Sequence, residues 1–365
     1  MSSFKKSEFN TIGVELELQL INKTTFNLVN GIQSILAHKD IQSLPCIIKP
    51  EITKNNLEIN SSVHQSVHAL HDELLNMRNE LNHILMQTEY AVCGGGTHPF
   101  QDWKNSEIYP SDHYRLVEKK YGYLAKHDTI FGMHIHIGCR TGEEAIYLCH
   151  ALSMYVPHLI ALSASSPFFR EVDTSYQSSR TNISSSFPTT GHISPFQTWE
   201  KFLEYVELLK THQVIEAVND FYWDIRPQTK FGTVEIRIFD MPLTIEKVCM
   251  IVAFVKALSQ YLIVEKIPMP LNELYIFYNY NKYQSARYGF NAIYIDPLTN
   301  EHFNLKNHLL ITLYQIKEII DDPFYALLKS QIMLENNDAK WLRDIFQEQN
   351  CFKKLVDNQI NIWSS

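Results

Sequence analysis

Glu15 and Glu17 stand two residues apart, and the same spacing relates His134 to His136 and Glu235 to Arg237. Side chains so spaced share one face of an extended strand. Glu15, Glu17, Glu58 and Glu235, with Glu51 as a fifth, are hard oxygen donors, and His134 or His136 adds a nitrogen. That donor set suits Mg²⁺ or Mn²⁺. Gathered carboxylates repel one another and rise in pKa unless divalent ions neutralise them, so the grouping itself asks for metal. Arg237 shares the face of Glu235, and Arg226 lies nearby in Trp223-Asp224-Ile225-Arg226-Pro227. A guanidinium beside metal-binding carboxylates points to phosphate, which it grips with paired hydrogen bonds. Each piece alone has a plainer reading: a solvated strand face for the glutamates, satisfied core or surface histidines, a surface salt bridge for Glu235 and Arg237. Their joint placement opposite aliphatic residues on several strands is what favours a metal and phosphate site.

The elements that must carry these groups follow from periodicity. Ile12, Val14, Leu16, Leu18 and Leu20 alternate with Gly13, Glu15, Glu17 and Gln19, which predicts a half-buried strand over Thr11 to Leu20. Leu57 and Ile59 alternate with Glu58 and Asn60 in a shorter strand, and Met133, Ile135 and Ile137 oppose His134 and His136 between Phe131 and Cys139. Thr233, Glu235, Arg237 and Phe239 are expected on one face of a further strand, with Val234, Ile236, Ile238 and Asp240 on the other. Leu70, Leu74, Met77, Leu81 and Ile84 recur at helical spacing. Glu143 to Ala164 reads as a helix interrupted near Pro157, and Ile245 to Val264 as another. Between them, Ser165 to Pro195 is dense in Ser, Thr, Pro and Gly and reads as a long ordered loop over the site. Tyr90 to Cys93 runs into Gly94-Gly95-Gly96, which ends that element, and beyond Pro268 the chain is mostly helical. Strands with one polar and one aliphatic face predict an α+β fold: a curved antiparallel sheet with helices packed on one face and the site on the other.

Composition sets outer limits. The 365 residues are expected to form a single domain over 1–365, with a mainly helical C-terminal part from about 300. The 45% hydrophobic and 12% aromatic content is that of a packed globular chain. A net charge of -8 with no basic run argues against nucleic acid and anionic membrane as partners. Six cysteines without a CxxC pair fit reduced thiols, and MSSFKKSEFN has no apolar stretch behind its lysines, so a cytoplasmic protein that does not enter the membrane is expected. A homodimer is the default for an enzyme of this size.

The stretches TIGVELELQLI, GGGTHPF, GMHIHIG, HALSMYVPHLIALSASSPFF, SSRTNISSSFPTTG, WDIRP and FGTVEIRIFDMPLT resemble the bacterial family of glutamate-cysteine ligases of the second type, from about Thr11 to Leu298. More distantly, the Glu-x-Glu, GMHIH and Glu-x-Arg strands resemble glutamine synthetase and its superfamily, which implies a glutamine synthetase-like catalytic domain. The resemblance implies that Glu17 and Glu58 hold one metal with Glu51 as companion, and that Glu15, His134 and Glu235 hold a second. It places His136 near the phosphates, Arg226 and Arg237 on phosphate oxygens, and Arg180 on a substrate carboxylate. The triple glycine departs from the family's pattern and leaves the role of His98 open, with turn capping as the simpler reading.

What the resemblance implies is an ATP- and Mg²⁺- or Mn²⁺-dependent carboxylate-amine ligase that joins L-glutamate to L-cysteine or another amine through an acyl-phosphate. A carboxylate is a poor acylating group until its oxygen becomes part of a phosphate leaving group. Three other readings stay open at this stage: a guanidino phosphotransferase, a metal-dependent amide hydrolase using His134 and His136, and a silent binding protein that keeps the fold.

Overall fold

In the computed structural model, which describes residues 4–127 and 129–365, the stretch bearing Glu15 and Glu17 is strand β1 (Ile12–Asn22). It is joined by β2 (Ile47–Pro50), β3 (Asn56–Asn60), β4 (Tyr90–Cys93), β5 (Gly132–Gly138), β6 (Ile225–Gln228) and β7 (Thr233–Asp240). These strands make one open sheet in the order β6-β7-β5-β1-β3-β2, with β4 also paired to β1. Every pairing in it is antiparallel. β1 pairs with β5 through Ile12 to Leu16 and with β4 through Gln19 to Asn22, changing neighbours partway along its length.

One face of the sheet is core. Ile12, Val14, Leu16, Leu18, Leu20, Met133, Ile135, Ile137, Val234 and Ile236 are all buried on it, which is the driving force for laying helices there. The first of these, α1 (Val67–Met86), is capped by Ser66, whose side chain accepts from the His68 N–H, and it buries Leu70, Leu74, Met77, Leu81 and Ile84. The expected interrupted helix is two helices, α2 (Gly142–Ser153) and α3 (Val156–Ser163), bent by 65°. Pro157 sits in the first turn of α3, where its missing N–H costs no helical bond. Helix α4 (Ile245–Glu265) is long and apolar enough to cross a membrane by length and composition, and 67% of that apolar window is buried inside the fold. After α5 (Leu271–Tyr288) and a small hairpin, four helices complete the chain: α6 (Leu305–Gln315), α7 (Asp322–Leu334), α8 (Asp338–Gln349) and α9 (Phe352–Ser364).

Two details differ from the expectations. A bulge between Ile236 and Phe239 inserts one residue into β7, so that Phe239 pairs with Met133 and Asp240 with Gly132. Beyond the bulge the alternation therefore reverses. Phe239 enters the core, and Asp240 joins the polar face on which it had not been expected. The serine-rich stretch is also more structured than a loop. It contains the pair Phe168–Phe169 and Val172–Asp173, a short helix Arg180–Ser184, and Thr190–Gly191, which runs parallel to Tyr222–Trp223.

Asp240 explains both the stretch and the glycines. Its carboxylate accepts from Ser165 N at 2.9 Å, Ser166 Oγ at 2.6 Å and Ser178 Oγ at 2.8 Å, tying the stretch to the end of β7. Gly95 takes φ +109, and a Cβ on Gly96 would lie 2.7 Å from the Asp240 carboxyl carbon. One glycine is there for its backbone angle and its neighbour for close approach.

Candidate active site

Cross-strand register assembles the polar face. Asn60, Glu15 and His134 lie side by side on β3, β1 and β5; one row over are Gly13, His136, Glu235 and Arg226, and on the other side Glu17 pairs with Glu58. Two ligand groups result: Glu17, Glu51 and Glu58, and Glu15, His136 and Glu235, each with donor atoms within 4.8 Å of one another. His134, expected with Glu15 and Glu235, lies between the groups, its Nδ1 2.9 Å from Glu15 and its Nε2 3.4 Å from Glu17. His134 Nδ1 also lies 3.9 Å from Glu235, and His136 stands opposite Glu235 in the strand register. The His136 Nδ1 is held at 3.0 Å by Thr233 Oγ1, and its Nε2 lies 3.3 Å from Glu15.

The two groups differ in how their charge is balanced. Burial pushes the Glu15 and Glu235 carboxyls up, but His134 and His136 beside Glu15, and Arg226 and Arg237 beside Glu235, outweigh it and hold both well below the usual range. Burial pushes Glu17 up to about 7, with Glu58 adding repulsion against the pull of Arg180 and Arg237. It also raises Glu51, and with the neighbouring Glu51 it lifts Glu58 far above a normal carboxyl. Burial lowers the His134 imidazole to about 4. His136 is raised despite its burial, by Glu15 and Glu235. The first group thus carries protons at neutral pH unless a cation replaces them.

A divalent cation fits the residues present. Among the described residues, the buried Nε2 atoms of His134 and His136 have no hydrogen-bond partner, although carboxylate oxygens stand close by. An orphaned imidazole nitrogen among carboxylates is what a hard cation with mixed oxygen and nitrogen donors satisfies.

The arginines divide in function. Arg226 is buried and fully engaged: Nε and Nη2 bind Glu235 at 2.8 and 3.1 Å, and Nη1 binds the carbonyls of Asn219 and Phe221 at 2.9 and 2.6 Å. It is placed to aim Glu235. Arg237 reaches Glu235 at 2.5 Å and His134 at 3.3 Å through Nη1 alone, and its side chain remains 21% exposed to the cleft. Arg180 is buried, its Nε has no hydrogen-bond partner among the described residues, and its guanidinium occupies space that a Cβ at Gly132 would fill. Gly132 N also donates to Glu17 at 2.5 Å. The carboxylates of both ligand groups, His134 and the three arginines line one cleft of about 400 Å³. His98 is not among them; its Nδ1 accepts from Phe100 N and Gln101 N, and its Nε2 meets the Phe26 carbonyl, so it caps a turn.

Sequence reasoning missed Tyr114, Asp224 and Asp240. Tyr114 lies against Glu51, its hydroxyl 3.5 Å away, on a helix, Asp112–Tyr121, that had not been expected. Asp224 is bound by Lys282 and Tyr278 at 2.7 Å, and its carbonyl accepts from Arg237 N at 2.8 Å, bracing the bulge. Only the Trp-Asp-Ile-Arg-Pro run hinted at it.

The proton-holding group gives a sign-definite prediction. For a carboxyl with a raised folded pKa, stability is full below the unfolded value near 4.5 and is lost as pH rises through the folded value. The lowered histidines act in the opposite direction only below about pH 6.5, where the unfolded imidazole charges. From pH 6.5 to 8.5 the metal-free protein should therefore lose stability, at up to about 1.4 kcal/mol per pH unit for each carboxyl still protonated in the folded state, and its melting temperature should fall with it. Mg²⁺ or Mn²⁺ should raise it more at pH 8.5 than at 6.5. A flat profile in EDTA by scanning calorimetry would refute the protonated cluster.

Fold and site together are those of a ligase that joins carbon to nitrogen on an open antiparallel sheet. The chain belongs to glutamate-cysteine ligase family 2 (GCS2), whose model matches residues 11–320. It is 41% identical over its whole length to 96% of "Putative glutamate--cysteine ligase 2-1" of Legionella pneumophila strain Corby, and 39% identical to 99% of "Putative glutamate--cysteine ligase 2" of Janthinobacterium sp. strain Marseille. In fold it is similar to the glutamate-cysteine ligase of Francisella tularensis in complex with AMP, with a TM-score of 0.67 at 13% identity over 98% of this chain and 89% of that one. The bifunctional glutathione synthetase of Pasteurella multocida gives 0.69 at 13% identity, over 97% of this chain and 52% of that one.

Proposed function

We propose that this chain uses ATP to activate the γ-carboxylate of L-glutamate as an acyl-phosphate and passes the acyl group to an amine. The observation that carries the reading is the pair of ligand groups sharing one cleft with a partly exposed Arg237. The AMP-bound ligase of similar fold supports the choice of nucleotide, and the relatives' names support glutamate and cysteine as substrates. Divalent cations held by Glu17, Glu51 and Glu58, and by Glu15, His136 and Glu235 with His134 between, would neutralise phosphate charge.

The chain's own residues then have distinct work. Arg237 presents its remaining N–H donors to the transferring phosphoryl group, where charge spreads over three oxygens. Arg226 fixes Glu235, and His136, steadied by Thr233 and 3.3 Å from Glu15, would approach the phosphates. Arg180 takes a substrate carboxylate. The amine nitrogen bonds to the acyl carbon as the carbon–oxygen bond to phosphate breaks, releasing inorganic phosphate and one proton from nitrogen. Five of the six cysteines are buried and all are free among the described residues, which supports a reducing cytoplasm.

Hydroxylamine tests this directly. With Mg-ATP and L-glutamate it should trap the activated carboxylate as γ-glutamyl hydroxamate, with stoichiometric ADP. A stable phosphorylated amine would instead reveal a phosphotransferase, and amide cleavage without ATP a hydrolase.

A further inference from the structure

The cleft is lined in part by apolar side chains that the phosphate chemistry does not use, Val117, Ile130, Phe187, Tyr222 and Ile238 among them, with Phe187 and Tyr222 packed together as an apolar wall. Val117 stands one helical turn beyond Tyr114, whose hydroxyl is beside Glu51, so the apolar lining adjoins the Glu17, Glu51 and Glu58 group. The wall is firmly built: the Phe187 ring packs 5.0 Å from Tyr121 and 5.4 Å from Tyr222. Arg180 opens the short helix that leads to Phe187 and, buried with an unpartnered Nε, lines the same cleft.

Resting on the ligase reading above, we propose that the acceptor is an α-amino acid with a branched or aromatic apolar side chain, its carboxylate on Arg180 and its side chain against this wall. A fixed apolar surface rewards each added methylene, and the short cysteine side chain has less area to bury on it than leucine or phenylalanine. Arg180 acts electrostatically on Glu17 and Asp240, yet its buried Nε makes no hydrogen bond among the described residues, and an amino-acid carboxylate would satisfy that donor. The wall then acts on the second half-reaction, holding the amine nitrogen near the acyl carbon, while the first half-reaction proceeds without it.

The experiment ranks amines on the full chain with Mg-ATP and L-glutamate: glycine, L-cysteine, L-leucine, L-phenylalanine and hydroxylamine, read by phosphate release and product mass. Leucine or phenylalanine should exceed cysteine in kcat/KM by roughly ten-fold or more. Phe187→Ala should lower the ratio of leucine to hydroxylamine turnover by a similar factor, and Val117→Ser serves if that variant fails to fold. Cysteine ranking first, or an equal fall for every amine, overturns the acceptor assignment and leaves the ligase standing. Absence of hydroxamate and of any ATP-dependent product overturns both.

Discussion

Glu15→Gln is expected to lower the rate of hydroxamate formation by roughly 10²–10³-fold, with a melting temperature within a few degrees of the parent. Loss of Glu15 should disturb the fold little. Its side chain is 20% exposed, and its close partners are the two imidazoles, which remain supported by Arg237 and Thr233. Glu235→Gln should cost activity as severely and stability as well. Its buried carboxylate is the counter-charge for Arg226 and Arg237 and also accepts from Gln228 at 3.3 Å. Breaking a buried pair by neutralising one partner costs about 3–5 kcal/mol. The exposed Glu80→Gln is the control and should match the parent in both assays. Calorimetry with phosphate-release kinetics separates the two effects, and a Glu15→Gln enzyme keeping a third of its turnover would remove Glu15 from the metal set.

The strands that carry the site were legible because their two faces differ in chemistry. β1, β5 and β7 each set aliphatic residues against carboxylate, imidazole or guanidinium at period two, and such a pattern has one satisfactory burial. The edge strands were not. β2 ends in Pro50 and β6 contains Pro227, and a residue without an N–H is tolerated at an edge where no ladder bond is lost. Both run only four residues, too short for alternation to register. The bulge after Ile236 was equally invisible, since it is set by pairing with β5 and by Asp224 reaching Arg237 N rather than by composition. It moves Asp240 from the expected aliphatic face to the anchor of the serine-rich stretch. Register likewise decides which strand residues lie opposite each histidine. Spacing says only that His134 and His136 share a face; the pairing of Glu15 with His134 and of Glu235 with His136 comes from two separate strand contacts.

The two arginines that the sequence treats alike should respond oppositely to removal. Arg237→Ala should cut kcat by about 10²–10³-fold while leaving stability close to the parent, because its protein contacts run through one nitrogen at a partly exposed position. Arg226→Ala should destabilise by about 3–5 kcal/mol, since it abandons the Glu235 carboxylate and the Asn219 and Phe221 carbonyls in a buried setting. Its effect on turnover is indirect, through a misaimed Glu235. Added guanidinium should therefore restore part of the Arg237→Ala activity, where the vacated space opens on the cleft, and should not restore Arg226→Ala. Lysine should not substitute at Arg226, because a point charge cannot reproduce the paired bonds to Glu235 and the two carbonyl bonds at once. The reverse outcome, a stable and active Arg226→Ala beside an unfolded Arg237→Ala, would exchange their roles and make Arg226 the phosphate ligand.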